Sequence, residues 1–250
     1  MLFKKHTSEN YKSYLLSVGV LTGIMFLLMY FAAKISENYI LNSYKQMEFF
    51  WGLLILAGTF FASTSFANLS DKKRAITQLT LPATRFEKYL VSWLYSVIIF
   101  LIVYTSIFYL VNISILHFFK QPGKVIKIFN IFAETDNNIF YSVFFSFAFV
   151  QSLAFLGSVW FKKAHYIKTA FTFFLFIIIL QLLNHRFLEW FLEKDLNLAL
   201  VFGPIAFLQN KEIVILDMSQ EQAHLFSLML LILSFILWTA TYYRLKEKQI

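Results

Sequence analysis

Long apolar segments alternate with more polar ones along the whole chain. Six of them stand out, at 15–33, 49–66, 90–116, 139–161, 167–183 and 223–243. They contain no Asp, Glu or Arg, and Lys168 is their one lysine. About 20 apolar residues suffice for a helix to cross the ~30 Å hydrocarbon layer of a bilayer, whereas a β-barrel would show short segments of alternating polarity. The pattern predicts an all-α polytopic membrane protein, with six transmembrane helices in one domain over 1–250.

The basic residues predict how these helices are oriented. Fourteen Lys and Arg lie in one set of connecting segments, at 1–14, 67–89, 162–168 and 244–250, and eight lie in the segments that alternate with them. The first set contains 4 acidic residues and the second contains 10. Cytoplasmic loops carry the excess of Lys and Arg. We therefore expect both termini to be cytoplasmic. The first apolar run is longer than a signal-peptide core and no A-x-A site closes it, so we expect it to be retained.

Composition supports the membrane assignment and excludes several classes of function. Apolar residues make up 59% of the chain and charged residues 14%, which differs in both respects from soluble domains. With no cysteine, disulfides and thiolate metal sites are excluded. The net charge of +8 follows from the basic inner loops, so we expect contact with membrane lipid and none with nucleic acid.

Few residues could carry chemistry at membrane depth. The spans contain no carboxylate and no H-E-x-x-H or G-x-S-x-G motif, and none of the glycines begins a P-loop. The five histidines lie at span ends or in loops, with His185-Arg186 the strongest candidate among them for a functional role. We expect no enzyme activity, no cofactor and no metal site. Gln151 and Gln181 are either hydrogen-bonding links between helices or polar contacts on a substrate path.

Small residues at helical spacing mark two possible close helix contacts. Gly19 and Gly23 form a G-x-x-x-G pair in the first span, and Gly58 and Ala62 a looser pair in the second. Such spacing lets two backbones approach closely. The partner is either another helix of this chain or a second copy of it.

The polar segment between the second and third spans has a definite pattern. Ser70 is a good N-cap, and Asp71 after it favours the positive end of a helix dipole. Apolar residues at Leu69, Ile76 and Leu79 oppose a basic face of Lys72, Lys73 and Arg74. Pro82 then disfavours helix at Leu81, and Thr84-x-x-Glu87 forms a capping box before the third span. Three interpretations are open for this segment: a helix lying on anionic headgroups, a docking helix for a cytoplasmic partner, or a nucleic-acid patch. We discount the nucleic-acid patch, because the excess of Lys and Arg expected in cytoplasmic loops accounts for the positive charge.

The same segment resembles the permease subunits of type-2 ABC exporters, in their small six-span bacterial form. The similar feature is a span ending in F-A-S-T-S-F-A-N-L-S-D-K-K-R-A, followed by L-x-L-P-A-T-x-x-E-K-Y-L at 79–90. Leu81, Pro82, Ala83, Thr84, Glu87 and Lys88 match the pattern directly, and the motif covers about a tenth of the chain.

The resemblance implies a function and a set of partners. The chain would be an exporter permease in a bacterial inner membrane, with a separate ABC ATPase subunit and a second permease copy, either identical or a sister chain. An amphipathic coupling helix would contact the ATPase through Asp71, Lys72, Lys73, Arg74, Ile76, Leu79, Pro82, Thr84, Glu87 and Lys88. The segment 184–222 would fold into short helices dipping back toward the membrane, a plain outer loop being the other possibility. The alternative function is that of a structural or regulatory membrane protein without transport.

Overall fold

The fold is that of a computed structural model of the chain. It describes residues 2–36, 41–66, 84–119, 127–131, 137–161, 164–193, 196–201, 203–209, 212–216 and 219–248. The described part is mostly helical. Its helices are α1 (Leu2–Ile35), α2 (Ser43–Thr64), α3 (Arg85–Phe118), α4 (Asn137–Trp160), α5 (His165–Leu192) and α6 (Gln220–Lys248).

Each predicted span corresponds to one of these helices. Within the described residues, six helices are long and apolar enough to cross a membrane, which confirms the predicted number of spans. Several helices extend beyond the apolar runs, and α5 continues nine residues past the predicted end at 183 to Leu192. The orientation of the termini stays a prediction. The inner end of the bundle is defined as the end at which α2 stops and α3 starts, and the outer end is the opposite one.

The middle of the bundle is formed by α2, α3 and α4. Helix α4 makes the widest contacts, with α6, α2 and α5. Aromatic side chains fill the interior, and Tyr104, Phe108, Phe147 and Phe155 are fully buried. Packing of this density removes apolar surface from both water and lipid and fixes the relative positions of the helices.

The peripheral helices bury much less of their surface. Helix α1 buries Met25, Met29 and Ala33, which fall on one stripe at helical spacing, whereas α5 buries no residue. Its exposed side chains are almost all apolar, for example Phe174, Ile178 and Leu182. In a membrane protein, an apolar helix surface of this kind is available to lipid or to a helix of another chain.

Gly58 allows α2 and α4 to approach closely. A Cβ at this position would lie 2.5 Å from Phe147 Cε2, a distance that no real side chain adopts. Ala62, one turn later, is fully buried beside Ala154 and Phe155 of α4. The small pair in the second span thus lies in a helix contact, as the spacing predicts, and of the two partners that the spacing leaves open the one observed is a helix of the same chain.

Between α5 and α6 the chain forms a small antiparallel sheet in place of the short helices implied by the resemblance. Its strands are β1 (Leu196–Ala199), β2 (Ile205–Gln209) and β3 (Glu212–Leu216), in that spatial order. The all-α prediction therefore holds for the spans but not for this segment. The reason lies in the sequence: β-branched and aromatic residues are frequent here, and Gly203-Pro204 places a turn where a helix would have to continue.

Candidate functional site

The third helix begins with the predicted cap. The Glu87 backbone N–H donates to Thr84 Oγ1 at 3.2 Å, and the Thr84 backbone N–H donates to Glu87 Oε2 at 2.9 Å. These two bonds make the reciprocal capping box that the sequence predicts, and they satisfy two N–H groups at the start of α3. The polar segment at 67–83 therefore leads directly into a fixed helix start.

Aromatic contacts connect this helix start to α4 and α6. The Tyr89 ring lies 5.8 Å from that of Phe155 on α4 and 5.5 Å from that of Tyr242 on α6. The Tyr89 hydroxyl also donates to the Trp238 carbonyl at 2.9 Å. At the other end of the polar segment, the Phe66 ring lies 5.1 Å from the same Phe155 ring. Phe66, which precedes the 67–83 segment, and Tyr89, in the first turns of the helix that follows it, therefore contact the same buried side chain of α4.

One helical turn above Phe155, Gln151 joins three spans by hydrogen bonds. Its side chain is fully buried. Gln151 Nε2 donates to Ser96 Oγ on α3 at 3.2 Å, and Trp238 Nε1 on α6 donates to Gln151 Oε1 at 3.1 Å. All three side chains lie about 15 Å, measured along the helix, from the inner ends of their helices. We call Gln151, Ser96 and Trp238 the inner junction.

The α3 part of the inner junction lies in a π-helical turn. Residues Tyr95–Ile99 adopt π geometry inside the otherwise α-helical span. Ser96 Oγ donates to the Trp93 carbonyl at 3.1 Å, and the Tyr95 ring stacks on that of Tyr14 in α1 at 5.4 Å. π-Turns within α-helices are rare and occur frequently at functional sites. The inner junction is for this reason the best candidate for a point at which the packing of the spans changes.

A second polar cluster lies at the outer end. Gln46 of α2 is fully buried, and its Nε2 donates to the carbonyls of Leu41 at 2.8 Å and Lys127 at 3.0 Å. Gln46 Oε1 accepts from Asn112 Nδ2 at 2.8 Å and from the Phe129 backbone N–H at 2.9 Å. This outer junction ties α2, α3 and the segment 127–131 together, and it uses every hydrogen-bonding position of the Gln46 amide.

The predicted coupling residues divide into two groups. Thr84, Glu87 and Lys88 lie at the start of α3, where the cap is observed. The predicted amphipathic helix lies outside the described residues, and with it Asp71, Lys72, Lys73, Arg74, Ile76, Leu79 and Pro82. Their role as a contact for an ATPase stays a prediction.

The other candidate residues have various surroundings. Gly19 and Gly23 face open space, because no atom lies within 4 Å of a Cβ built on either, so their role in a helix contact stays a prediction. His185 Nε2 lies 3.2 Å from Glu189 Oε1, and Arg186 Nη1 lies 3.4 Å from the other oxygen of the same carboxylate. Over the part of the chain that the structure describes, no three His, Asp or Glu side chains gather as metal ligands.

The two glutamines have different partners. Gln151 links helices by hydrogen bonds, which is one of the two roles that the sequence leaves open for it. Gln181 instead bonds to the backbone of the sheet: Val201 N–H donates to Gln181 Oε1 at 3.1 Å, and Gln181 Nε2 donates to the Ala199 carbonyl. The sequence pattern did not single out Gln46, Ser96 or Trp238. Ser96 and Trp238 lie within apolar runs and Gln46 lies just before one, and these positions do not indicate a partner.

The two junctions consist of neutral amides, hydroxyls and an indole. Such groups can position helices and exchange hydrogen bonds. Comparisons of the chain with protein-family models, with curated proteins and with solved structures found no match.

Proposed function

We propose that the chain is the permease subunit of an ATP-driven exporter of the type-2 ABC family, located in a bacterial inner membrane. A separate ATPase chain supplies the energy, and a second permease chain completes the path. The L-P-A-T-x-x-E-K motif at 81–88 and the six spans support the proposal. The observation that carries the proposal is that Phe66 and Tyr89 both contact Phe155. Through these contacts, the residues that flank the 67–83 segment pack against α4, a helix in the middle of the bundle.

The contacts suggest how the ATPase would act on the spans. Closure of the ATPase subunits on ATP would displace the segment 67–83. The capped start of α3 would transmit that displacement through Tyr89 to α6 and to Phe155 of α4. Two packings of the spans, open to the inside and open to the outside, would then change in population according to how the ATPase favours each.

The inner junction is suited to such a change. Hydrogen bonds between membrane helices contribute about 0.6 kcal/mol each on average, so Gln151 can exchange Ser96 and Trp238 for other partners at low cost. Its position next to the π-turn allows α3 to shift without breaking the helix. The chain itself performs no covalent step in this mechanism.

Purification from native membranes tests the proposal. The tagged chain, extracted in a mild detergent, is expected to bring down in near-stoichiometric amount a chain that carries G-x-x-x-x-G-K-[ST], and the complex is expected to hydrolyse ATP. A tagged, unrelated six-span protein expressed at the same level is the control. Recovery of the chain without any such ATPase would favour the structural or regulatory alternative.

A further inference from the structure

A short segment of residues 127–131, which we call the strap, packs on the outer end of α2 and α3. Phe129 is fully buried and Ile131 is 8% exposed, whereas Ile128 and Asn130 are exposed. Alternate burial of this kind is typical of an extended chain, in which successive side chains point to opposite sides. The strap therefore lies across the bundle and directs every second side chain into it.

Phe129 places its ring among the aromatic side chains of the interior. The ring centre lies 6.1 Å from that of Phe50 on α2, and the Phe50 ring in turn contacts that of Phe108 on α3 edge-on at 4.9 Å. All three side chains are at most 3% exposed. Phe129 thus closes the outer end of this core, and withdrawal of the strap would give solvent access to it.

The Gln46 side chain holds the strap by its backbone. Gln46 Nε2 donates to the Lys127 carbonyl at 3.0 Å, and the Phe129 N–H donates to Gln46 Oε1 at 2.9 Å. In an extended chain these two backbone groups lie on the same side, so a single amide contacts both. The Ile131 N–H makes a longer bond, at 3.5 Å, to the Tyr109 hydroxyl on α3. These bonds attach the strap to both helices.

The hydrogen bonds fix the orientation of two amides. The Gln46 nitrogen faces the Leu41 and Lys127 carbonyls, because a carbonyl only accepts hydrogen bonds. Gln46 Oε1 then accepts from Asn112, which presents its nitrogen, at 2.8 Å. Asn112 Oδ1 is left over: it is buried, and among the residues that the structure describes it has no hydrogen-bond partner. A buried acceptor in this state favours an arrangement that supplies it with a donor.

Gln46 itself has the donor that Asn112 lacks. One N–H of Gln46 Nε2 bonds to the Leu41 carbonyl and the other to the Lys127 carbonyl of the strap. Withdrawal of the strap frees the second N–H for Asn112 Oδ1. The two amides then pair by two reciprocal bonds, of which the one from Asn112 Nδ2 to Gln46 Oε1 already exists. The strap and Asn112 therefore compete for the same N–H.

We propose that the strap closes the outer end of α2 and α3 in one of two positions, with Gln46 as its anchor. In the held position Gln46 bonds to the strap and Phe129 is buried. In the released position Gln46 pairs with Asn112, and the strap lies outside the core. This inference goes beyond the proposed permease function and does not depend on it, because both positions are properties of the chain alone.

Thiol labelling of Ile131→Cys measures how often the strap is released. The chain has no cysteine, so a maleimide reacts only with the introduced thiol of the purified protein. Residue 131 is buried in the held position, and this substitution leaves Phe129 in place. When labelling is slow compared with reclosing, its rate follows the population of the released position. Asn130→Cys, exposed beside it, is the reference and should react at the same rate in every background.

Gln46→Leu removes both bonds between the anchor and the strap. Labelling of Ile131→Cys is expected to rise about tenfold, because each bond of this kind contributes a factor of about two to ten. Gln151→Leu, at the buried glutamine of the inner junction, is the matched control and should leave the rate unchanged. An unchanged rate in the Gln46→Leu background would overturn the role of Gln46 as the anchor.

Asn112→Leu distinguishes an exchange of partners from a fixed contact. In this variant the released position loses two bonds and the held position loses one, so labelling of Ile131→Cys is expected to fall about threefold. A fixed junction would instead be loosened by the loss of Asn112 and would label faster. Unchanged or faster labelling in the Asn112→Leu background would overturn the exchange between the strap and Asn112.

Discussion

Trp238 Nε1 donates a hydrogen bond to Gln151 Oε1 at 3.1 Å, which links α6 to α4 in the interior of the bundle. Gln151 passes the connection on to Ser96 in the π-turn of α3. Three spans therefore meet at one neutral amide. Directly below it, Tyr89 and Phe155 connect the same helices to the inner end.

A double-mutant cycle measures the contact between Gln151 and Trp238. Gln151→Leu leaves the indole N–H unpaired in the bundle, and we expect a loss of about 1 kcal/mol in the free energy of unfolding. With Trp238→Phe as the second change, the coupling energy should be about 0.6 kcal/mol. Reversible unfolding in mixed micelles provides the measurement.

The matched reference is Gln151→Leu combined with Thr239→Val. Thr239 is exposed on α6, and its hydroxyl bonds only to its own helix, at the Phe235 carbonyl, 2.8 Å away. These two changes should be additive. A coupling energy for the Trp238 pair no larger than for this reference would show that the contact contributes nothing.

The cap at Thr84 should stabilise the start of α3. Thr84→Ala removes the acceptor of the Glu87 N–H bond and is expected to cost about 1 kcal/mol of unfolding free energy. Thr84→Ser retains a hydroxyl in the same place and should lose far less. Equal stability of the two variants would contradict the cap.

Glycine substitutions distinguish a packed from an open helix surface. Gly58→Ala introduces a methyl group against Phe147, and overpacking of this kind typically costs about 1–3 kcal/mol. Gly19→Ala has open space and should be neutral or slightly stabilising, because alanine favours the helix by up to about 1 kcal/mol. Thermal unfolding of the purified protein separates the two. Equal effects would contradict the close approach of α2 and α4.

The predicted topology has a direct test by cysteine labelling. Ser8→Cys and Gln249→Cys should be protected from an impermeant thiol reagent on intact cells, whereas Asn130→Cys, exposed beside the outer junction, should react. Permeabilised cells provide the control, in which all three should react. Labelling of Ser8→Cys or Gln249→Cys on intact cells would reverse the predicted orientation.

The sequence predicts the spans well because a run of about 20 apolar residues is a strong local signal. The capping box at Thr84 is equally local, since its two partners are three residues apart. By contrast, Gln46 and Gln151 bond to groups many residues away, and no local pattern encodes those pairings. The sheet after α5 was missed for a similar reason: its strands are five residues or fewer, and Gln181, which holds them, belongs to a transmembrane helix.

Coupling of the chain to an ATPase is decided by ATP hydrolysis in the reconstituted complex. Leu79→Asp places a carboxylate on the apolar face of the predicted amphipathic helix, where docking into a partner would bury it at a cost of several kcal/mol. We expect Leu79→Asp and Ile76→Asp to insert normally but to lose co-purification with the ATPase and stimulation of its turnover. Replacement of Lys72, Lys73 and Arg74 by Gln should leave membrane insertion intact, because six spans hold the chain in place. Wild-type co-purification and wild-type stimulation by both Asp variants would contradict the proposed coupling.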